Sequence, residues 1–234
     1  LGGDEFAVIA RSPCSSAGAL TMAGRLLAAL CRPVSLNGRA VPCSCSIGVA
    51  DGAATAEELL ADADLALYAS KHGGKGRATA FETSLRADME RRATAEAEVR
   101  EALHTGQIEP WYQPIVRRGS GRFVGVELLA RWHRADGEVR APGQFVELVE
   151  SLGLLDSMME SLLARALRET APMLASSSLE YLSINVSPAQ FGGGWVLERL
   201  PALLAESGFP AGALVVEITE AALLRDLARS RSVL

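Results

Sequence analysis

The sequence predicts an α/β chain, and its second half reads as a portion of a (β/α)8 barrel. Three observations carry that expectation. From residue 108 onward, apolar strand-like runs alternate with amphipathic helical runs. The run Val-Gly-Val-Glu-Leu-Leu-Ala-Arg-Trp at 124–132 alternates like a mostly buried strand, yet it holds a carboxylate, Glu127, and Arg131 near its end. Two further strand-like runs, 181–186 and 214–219, carry Asn185 and Glu217 near their C-terminal ends, the rim where a barrel keeps its chemistry. About four strands make about half of such a barrel. A half barrel leaves an unpaired strand edge and an open core.

The totals exclude several classes. The chain has 234 residues, a net charge of −5, 49% hydrophobic and 22% charged residues, which suits one or two ordinary globular domains. It has no basic block, so duplex nucleic acid and anionic membranes are not expected partners. No apolar run reaches the ~18 residues of a spanning helix. No signal peptide opens the chain. It begins at Leu1 inside a glycine turn, which suggests an excerpt of a longer protein. Cys14, Cys31, Cys43 and Cys45 lack zinc-ligand spacing and read as reduced, buried thiols in a cytoplasmic protein.

Taken in order, LGGDEFAVIA at 1–10 reads as a tight turn feeding a strand over Phe6–Ala10. Gly2 and Gly3 permit close approach of a ligand. Asp4 and Glu5 on that turn suit a metal–phosphate site, or are the acidic residues of a plain hairpin turn. Residues 15–31 have helical spacing, and residues 41–50 alternate like a strand. Thr55 and Glu58 form a capping-box signature for a helix over 55–71. Lys71 to Arg77, rich in glycine and bases, ends it, and a short strand is expected at 78–81.

GGDEF at 2–6, SIGVA at 46–50 and ADADLALYASKHGGKGRA at 61–78 resemble the second half of a GGDEF domain, the diguanylate cyclase family. The resemblance implies a ferredoxin-like palm and the Mg²⁺-dependent condensation of two GTP into cyclic di-GMP. By position, Asp4 would be the metal carboxylate and Glu5 its neighbour. Gly2 and Gly3 would admit the nucleotide, and Lys71 and Lys75 would meet the triphosphate. The family's second metal Asp and its guanine-reading residues fall upstream of this sequence, so this half-domain is not expected to cyclise GTP by itself.

Residues 82–104, charged and alanine-rich, predict a connecting helix that stops at Gly106. Strands follow at 108–116 and 124–132, with a turn at 117–122 between them. Helices are expected at 142–150, 155–171, after Ser187-Pro188, at 197–207 and at 221–229, interleaved with the strands at 181–186 and 214–219. Glu127, Asn185 and Glu217 on successive strand ends would converge, and three oxygen ligands suit Mg²⁺ or Mn²⁺. Any one of them alone is more simply structural.

QPIV at 113–116, GVELLARW at 125–132, PGQFVELVESLGLL at 142–155, INVSP at 184–188 and VVEITE at 215–220 resemble the first half of an EAL domain. That family hydrolyses cyclic di-GMP to linear pGpG with two divalent metals. The resemblance implies that Glu127, Asn185 and Glu217 are metal ligands and that Gln113 and Arg131 contact substrate. The signature triplet is Glu127-Leu128-Leu129, with Leu128 in place of Ala, and its side chain should face away from Glu127. The family's later Asp pair, lysine and glutamate fall beyond residue 234. The expected organisation is a GGDEF segment over 1–82, a connecting helix over 83–107 and an EAL segment over 108–234. A homodimer and an upstream sensory domain, with a membrane anchor as one form of it, are further expectations. Two other functions stay open: an inactive module that binds cyclic di-GMP or GTP, and a cyclase with a regulatory EAL segment.

Overall fold

The structure is a computed structural model that describes residues 4–10 and 15–218. It divides into two compact units, Leu1–Thr94 and Ala95–Leu234. Among the described residues no helix is long and apolar enough to cross a membrane.

In the first unit, Ser15 caps helix α1 (Ser16–Leu30), its side chain accepting from the Gly18 N–H. A hairpin of β1 (Val34–Leu36) and β2 (Arg39–Val41) follows. Asn37 and Gly38 both take positive φ (51° and 78°), the turn geometry whose twist matches a tight hairpin. The strand expected over 41–50 is broken. Pro42, which has no N–H for a ladder, follows β2, and pairing resumes only at β3 (Ile47–Val49). β3 pairs in parallel with β4 (Ala78–Ala80), and helix α2 (Ala56–His72) is the crossover between them. The Thr55 capping box forms: Thr55 Oγ1 accepts from the Glu58 N–H at 3.1 Å, and Glu58 Oε2 accepts from the Thr55 N–H at 3.2 Å. Gly48 lets β3 press on α2, since a Cβ there would sit 2.0 Å from the Ala63 carbonyl oxygen. The expected strand at Phe6–Ala10 does not form. Phe6 and Ile9 are each 87% exposed, and no neighbouring strand among the described residues takes up their backbone groups. Apolar alternation alone does not make a strand without a partner. Helix α3 (Thr83–His104) then carries the chain onward, and Gly106, with φ +70°, turns the chain just past its end.

The second unit is a sheet of β5 (Ile108–Val116), β6 (Phe123–His133), β8 (Tyr181–Val186) and β9 (Leu214–Ile218) in that order, with the two-residue β7 (Val139–Arg140) on β6. β6, β8 and β9 run parallel. β5 is antiparallel to β6, unlike a strand of a regular (β/α)8 barrel. The reason is the short link at 117–122: a parallel pair needs a crossover of about a dozen residues or more. The helices are α4 (Val146–Ser151), α5 (Leu155–Ala175), α6 (Pro188–Gly193) and α7 (Leu200–Ser207). A short 3-10 turn at Pro142–Gln144 precedes α4, and a wide π turn at Trp195–Arg199 precedes α7, so both helices start later than the spacing predicts. The helix expected at 221–229 lies outside the described residues.

One face of this sheet is sealed. Val126, Leu128, Ala130, Trp132, Leu182 and Ile184 pack with Leu162, Leu163 and Leu167 of α5 in one core. Each Val, Leu or Ile among them contributes roughly 1.5–3 kcal/mol when fully buried. This is the outer layer of a barrel wall, and the other face of the sheet carries Gln113, Glu127 and Asn185.

Candidate active site on the open face of the sheet

Strand alternation sorts the residues. Leu128 is buried among the helices, so the substituted position of the triplet points away from Glu127. Gln113, Glu127 and Ser183 form one row across β5, β6 and β8 by direct register. One step nearer the C-terminal ends of the parallel strands, Asn185 pairs with Glu217, and Leu129 pairs with Trp111. A further step brings Arg131 opposite Glu109.

The hydrogen bonds join these rows. Asn185 Nδ2 donates to Glu127 Oε1 at 2.6 Å. The buried Ser183 hydroxyl donates to Glu217 Oε1 at 2.5 Å. Glu127 is half-buried, while Asn185, Glu217 and Gln113 are exposed. Thus Glu127, Asn185 and Glu217 occupy one face in two adjacent rows, with Glu127 nearer the middle of its strand than the sequence predicts. The donor set, two carboxylates and one amide, offers the hard oxygens that Mg²⁺ and Mn²⁺ prefer. It is a partial set, because no group of three or more His, Cys, Asp or Glu gathers among the described residues.

Arg131 is held differently. Its Nη1 donates to the Ala130 carbonyl at 2.9 Å, and its guanidinium lies 5.5 Å from the centre of the Trp111 ring. Its register partner Glu109 turns instead to Arg165, at 3.3 Å. Arg165 also bonds Glu169 at 2.7 Å, and the Tyr112 hydroxyl donates to Glu169 at 2.5 Å. The Tyr112 and Arg165 bonds hold the Glu169 carboxyl below the usual range. Burial, then Glu169 itself, pushes the Tyr112 phenol up. This network anchors β5 to α5. On the rim, Arg134 grips Glu98 of α3 through two bonds of 2.6 and 3.1 Å and holds that carboxyl low.

In the first unit, Gly2 and Gly3 lie outside the described residues. Asp4 is exposed, and Glu5 lies 3.9 Å from Lys71. Glu5 and Lys71 line a cleft of about 700 Å³ with Asp64, Tyr68, Arg86 and Met89. Lys75 is exposed on the turn after α2, at φ +57°. Cys31 and Cys45 are half-buried rather than buried, with their sulfurs 3.9 Å apart, and Cys43 is likewise a free, half-buried thiol. Cys14 lies outside the described residues.

Sequence reasoning does not single out Ser183, Trp111 or His133. Period-two counting can find all three, since Ser183 precedes Asn185, Trp111 precedes Gln113 and His133 follows Arg131 by one alternation.

The EAL domain family matches residues 96–234, and the diguanylate cyclase GGDEF domain family matches residues 1–77. The bifunctional diguanylate cyclase/cyclic di-GMP phosphodiesterase MucR of Pseudomonas aeruginosa is 32% identical over 233 residues, covering 97% of this chain and 33% of that protein. The cyclic di-GMP phosphodiesterase NbdA of the same species is 31% identical over 230 residues, 96% of this chain and 29% of that protein. The chain therefore spans about a third of the length of these curated relatives. Among solved structures, the P. aeruginosa MucR phosphodiesterase in complex with c-di-GMP superposes with a TM-score of 0.57 at 29% identity, over 60% of this chain and 57% of that one. The Xanthomonas citri FimX EAL domain with c-diGMP, at 22% identity and TM-score 0.54, over 63% of this chain and 57% of that one, shares the fold.

Proposed function

This chain belongs to the EAL domain family, with a GGDEF segment ahead of it, and from that premise we propose that its second unit supplies half of the active face of a cyclic di-GMP phosphodiesterase. One observation carries the reading: Glu127, Asn185 and Glu217 stand on one face of three adjacent parallel strands, in two neighbouring rows joined by the Asn185–Glu127 hydrogen bond. Glu127, Asn185 and Glu217 would hold divalent metal, Mg²⁺ or Mn²⁺. When bound, such ions supply an acidified water and charge stabilisation for phosphodiester cleavage to pGpG.

The chain's own residues do the rest. Ser183 fixes the rotamer of Glu217, and Asn185 fixes that of Glu127. Both carboxylates are thereby set before any ligand arrives, which is what rigid site geometry requires. Gln113 stands beside Glu127 and contacts the substrate. Arg131 offers its planar fork of donors to a phosphate. In the first unit, Gly2, Gly3, Asp4, Glu5, Lys71 and Lys75 would serve GTP and Mg²⁺ in a complete GGDEF domain. The working division is a GGDEF segment over 1–82, a connecting helix over 83–107 and an EAL segment over 108–234. A cytoplasmic homodimer with an upstream sensory domain completes the proposal.

The test uses the full-length protein with cyclic di-GMP and Mn²⁺ or Mg²⁺, with pGpG followed by chromatography. Product from the wild type and none from Glu127→Ala supports a metal phosphodiesterase. Undiminished binding of cyclic di-GMP without product would make it a receptor and overturn the hydrolase reading.

A further inference from the structure

We propose that Trp111 and His133 form a positioning pair that aims the Arg131 guanidinium at the substrate phosphate. This inference rests on the phosphodiesterase reading above and adds two residues to it. Trp111 stands in the same row as Asn185 and Glu217, across β6 from them. Its indole leans along β6 toward the rim. One end of it donates from Nε1 to His133 Nε2 at 3.2 Å, and the ring centres of the pair are 5.8 Å apart. His133 lies one alternation beyond Arg131 on the same face of β6. The indole is thus tethered past Arg131, and its face lies against the guanidinium.

The charge arrangement makes the stack informative. A surface arginine commonly finds a carboxylate. Here the nearest candidate by register, Glu109, is drawn off to Arg165. Arg131 keeps only the Ala130 carbonyl and the indole face among the described residues. An aromatic face orients a guanidinium without neutralising it. The full charge therefore stays available to an anion, and the planar fork is already fixed. His133 Nε2 serves as the acceptor of the indole N–H. A side chain lacking an acceptor there releases the indole, and the indole releases Arg131.

Two measurements on the full-length protein test this. The first needs no ligand. Trp111 is 47% exposed, whereas Trp132 and Trp195 are buried at 2% and 5%, and its own acrylamide quenching in the full-length protein is read as the difference between each protein and its Trp111→Phe counterpart. Arg131→Ala and His133→Leu should each increase that quenching, and His133→Gln, which keeps an acceptor, should not. Unchanged quenching in Arg131→Ala overturns the stack. The second is kinetic, with cyclic di-GMP and saturating Mn²⁺. Trp111→Leu should raise KM about 2- to 5-fold with kcat nearly kept, the scale of an exposed cation–π contact. In an Arg131→Ala background the same change should have no further effect on kcat/KM. An equal effect in both backgrounds shows that Trp111 acts independently of Arg131 and overturns the proposal. If the wild type forms no pGpG, the phosphodiesterase reading fails, and the positioning role for substrate falls with it whatever the quenching shows.

Discussion

Replacing Ser183 with alanine removes one oxygen and tests whether the face is built around Glu217. Ser183 is fully buried between β6 and β9, and its hydroxyl donates to Glu217 Oε1 at 2.5 Å. A hydrogen bond to a charged group contributes about 1.5–3 kcal/mol. At 1.4 kcal/mol per tenfold, that is about 10- to 100-fold in the equilibrium it supports. Losing an outer partner of a metal ligand typically weakens the metal by about the same factor. Alanine fits the space, and Glu217 is exposed and can hydrate, so the fold should lose little. The expected result is Mn²⁺ affinity lowered about 10- to 100-fold by titration calorimetry on the full-length protein. Activity should return at saturating Mn²⁺, and the melting temperature should stay within a few degrees. Metal affinity within about twofold of wild type would refute the claim that Ser183 acts through Glu217. A large drop in melting temperature would assign Ser183 to the core instead.

Three other outcomes follow from the packing and the charges. Gly48→Ala puts a methyl 2.0 Å from the Ala63 carbonyl oxygen and 2.3 Å from the Leu67 nitrogen, inside the helical bond that joins them. It should cost about 1–3 kcal/mol or more, read as an earlier unfolding transition of the first unit by denaturant and circular dichroism. Thr55→Ala removes the reciprocal cap of α2 and should cost about 1 kcal/mol in the same assay, with Thr55→Ser recovering most of it. Glu98→Gln tests the rim clamp by pH. Arg134 depresses the Glu98 pKa, so the stability it adds is complete above the unfolded carboxylate value of about 4.3 and is lost as pH falls through the lower folded value. The gap in melting temperature between wild type and Glu98→Gln should therefore be present at about pH 7 and shrink below about pH 4. It should be small throughout, because the Glu98 side chain is 37% exposed and water screens the pair.

Local chemistry is the legible portion of this fold. The Thr55 and Ser187 caps are written in adjacent residues, and both helices they start are present. The alternation through 124–132 and 181–186 separates Glu127 and Asn185 from Leu128 and Ile184 correctly, because a strand enforces period two wherever one face is sealed. What fails needs knowledge of neighbours. Phe6–Ala10 has the residues of a strand and no partner among the described residues, so its pattern goes unused. The strand expected over 41–50 fails for a local reason instead, because Pro42 interrupts the ladder there. Two further signals lie in the sequence itself. Asn37-Gly38 between Leu36 and Arg39 is a hairpin signature, and the brevity of 117–122 already excludes a parallel β5–β6 pair. The hydrogen bonds of Ser183 and the lean of Trp111 toward His133 depend on cross-strand register, which no local window contains.

The reversed direction of β5 has a practical consequence for engineering. The hairpin at 117–122 turns at the end of β6 away from Arg131, so it sits at the opposite end of the sheet from Arg131, Asn185 and Glu217. Arg117 and Arg122 both clasp Glu180 there, closing that side with surface charges. A reporter or affinity tag inserted between Arg118 and Gly121 should therefore leave the rim unobstructed. The chain enters β5 from α3 at the opposite end, directly beside Arg131 and His133, whose backbone N–H already bonds the Gln107 carbonyl at 2.9 Å. Changes in length or stiffness at 104–107 would be felt at the rim first, which makes that short joint the place to splice if activity is to be tuned rather than preserved.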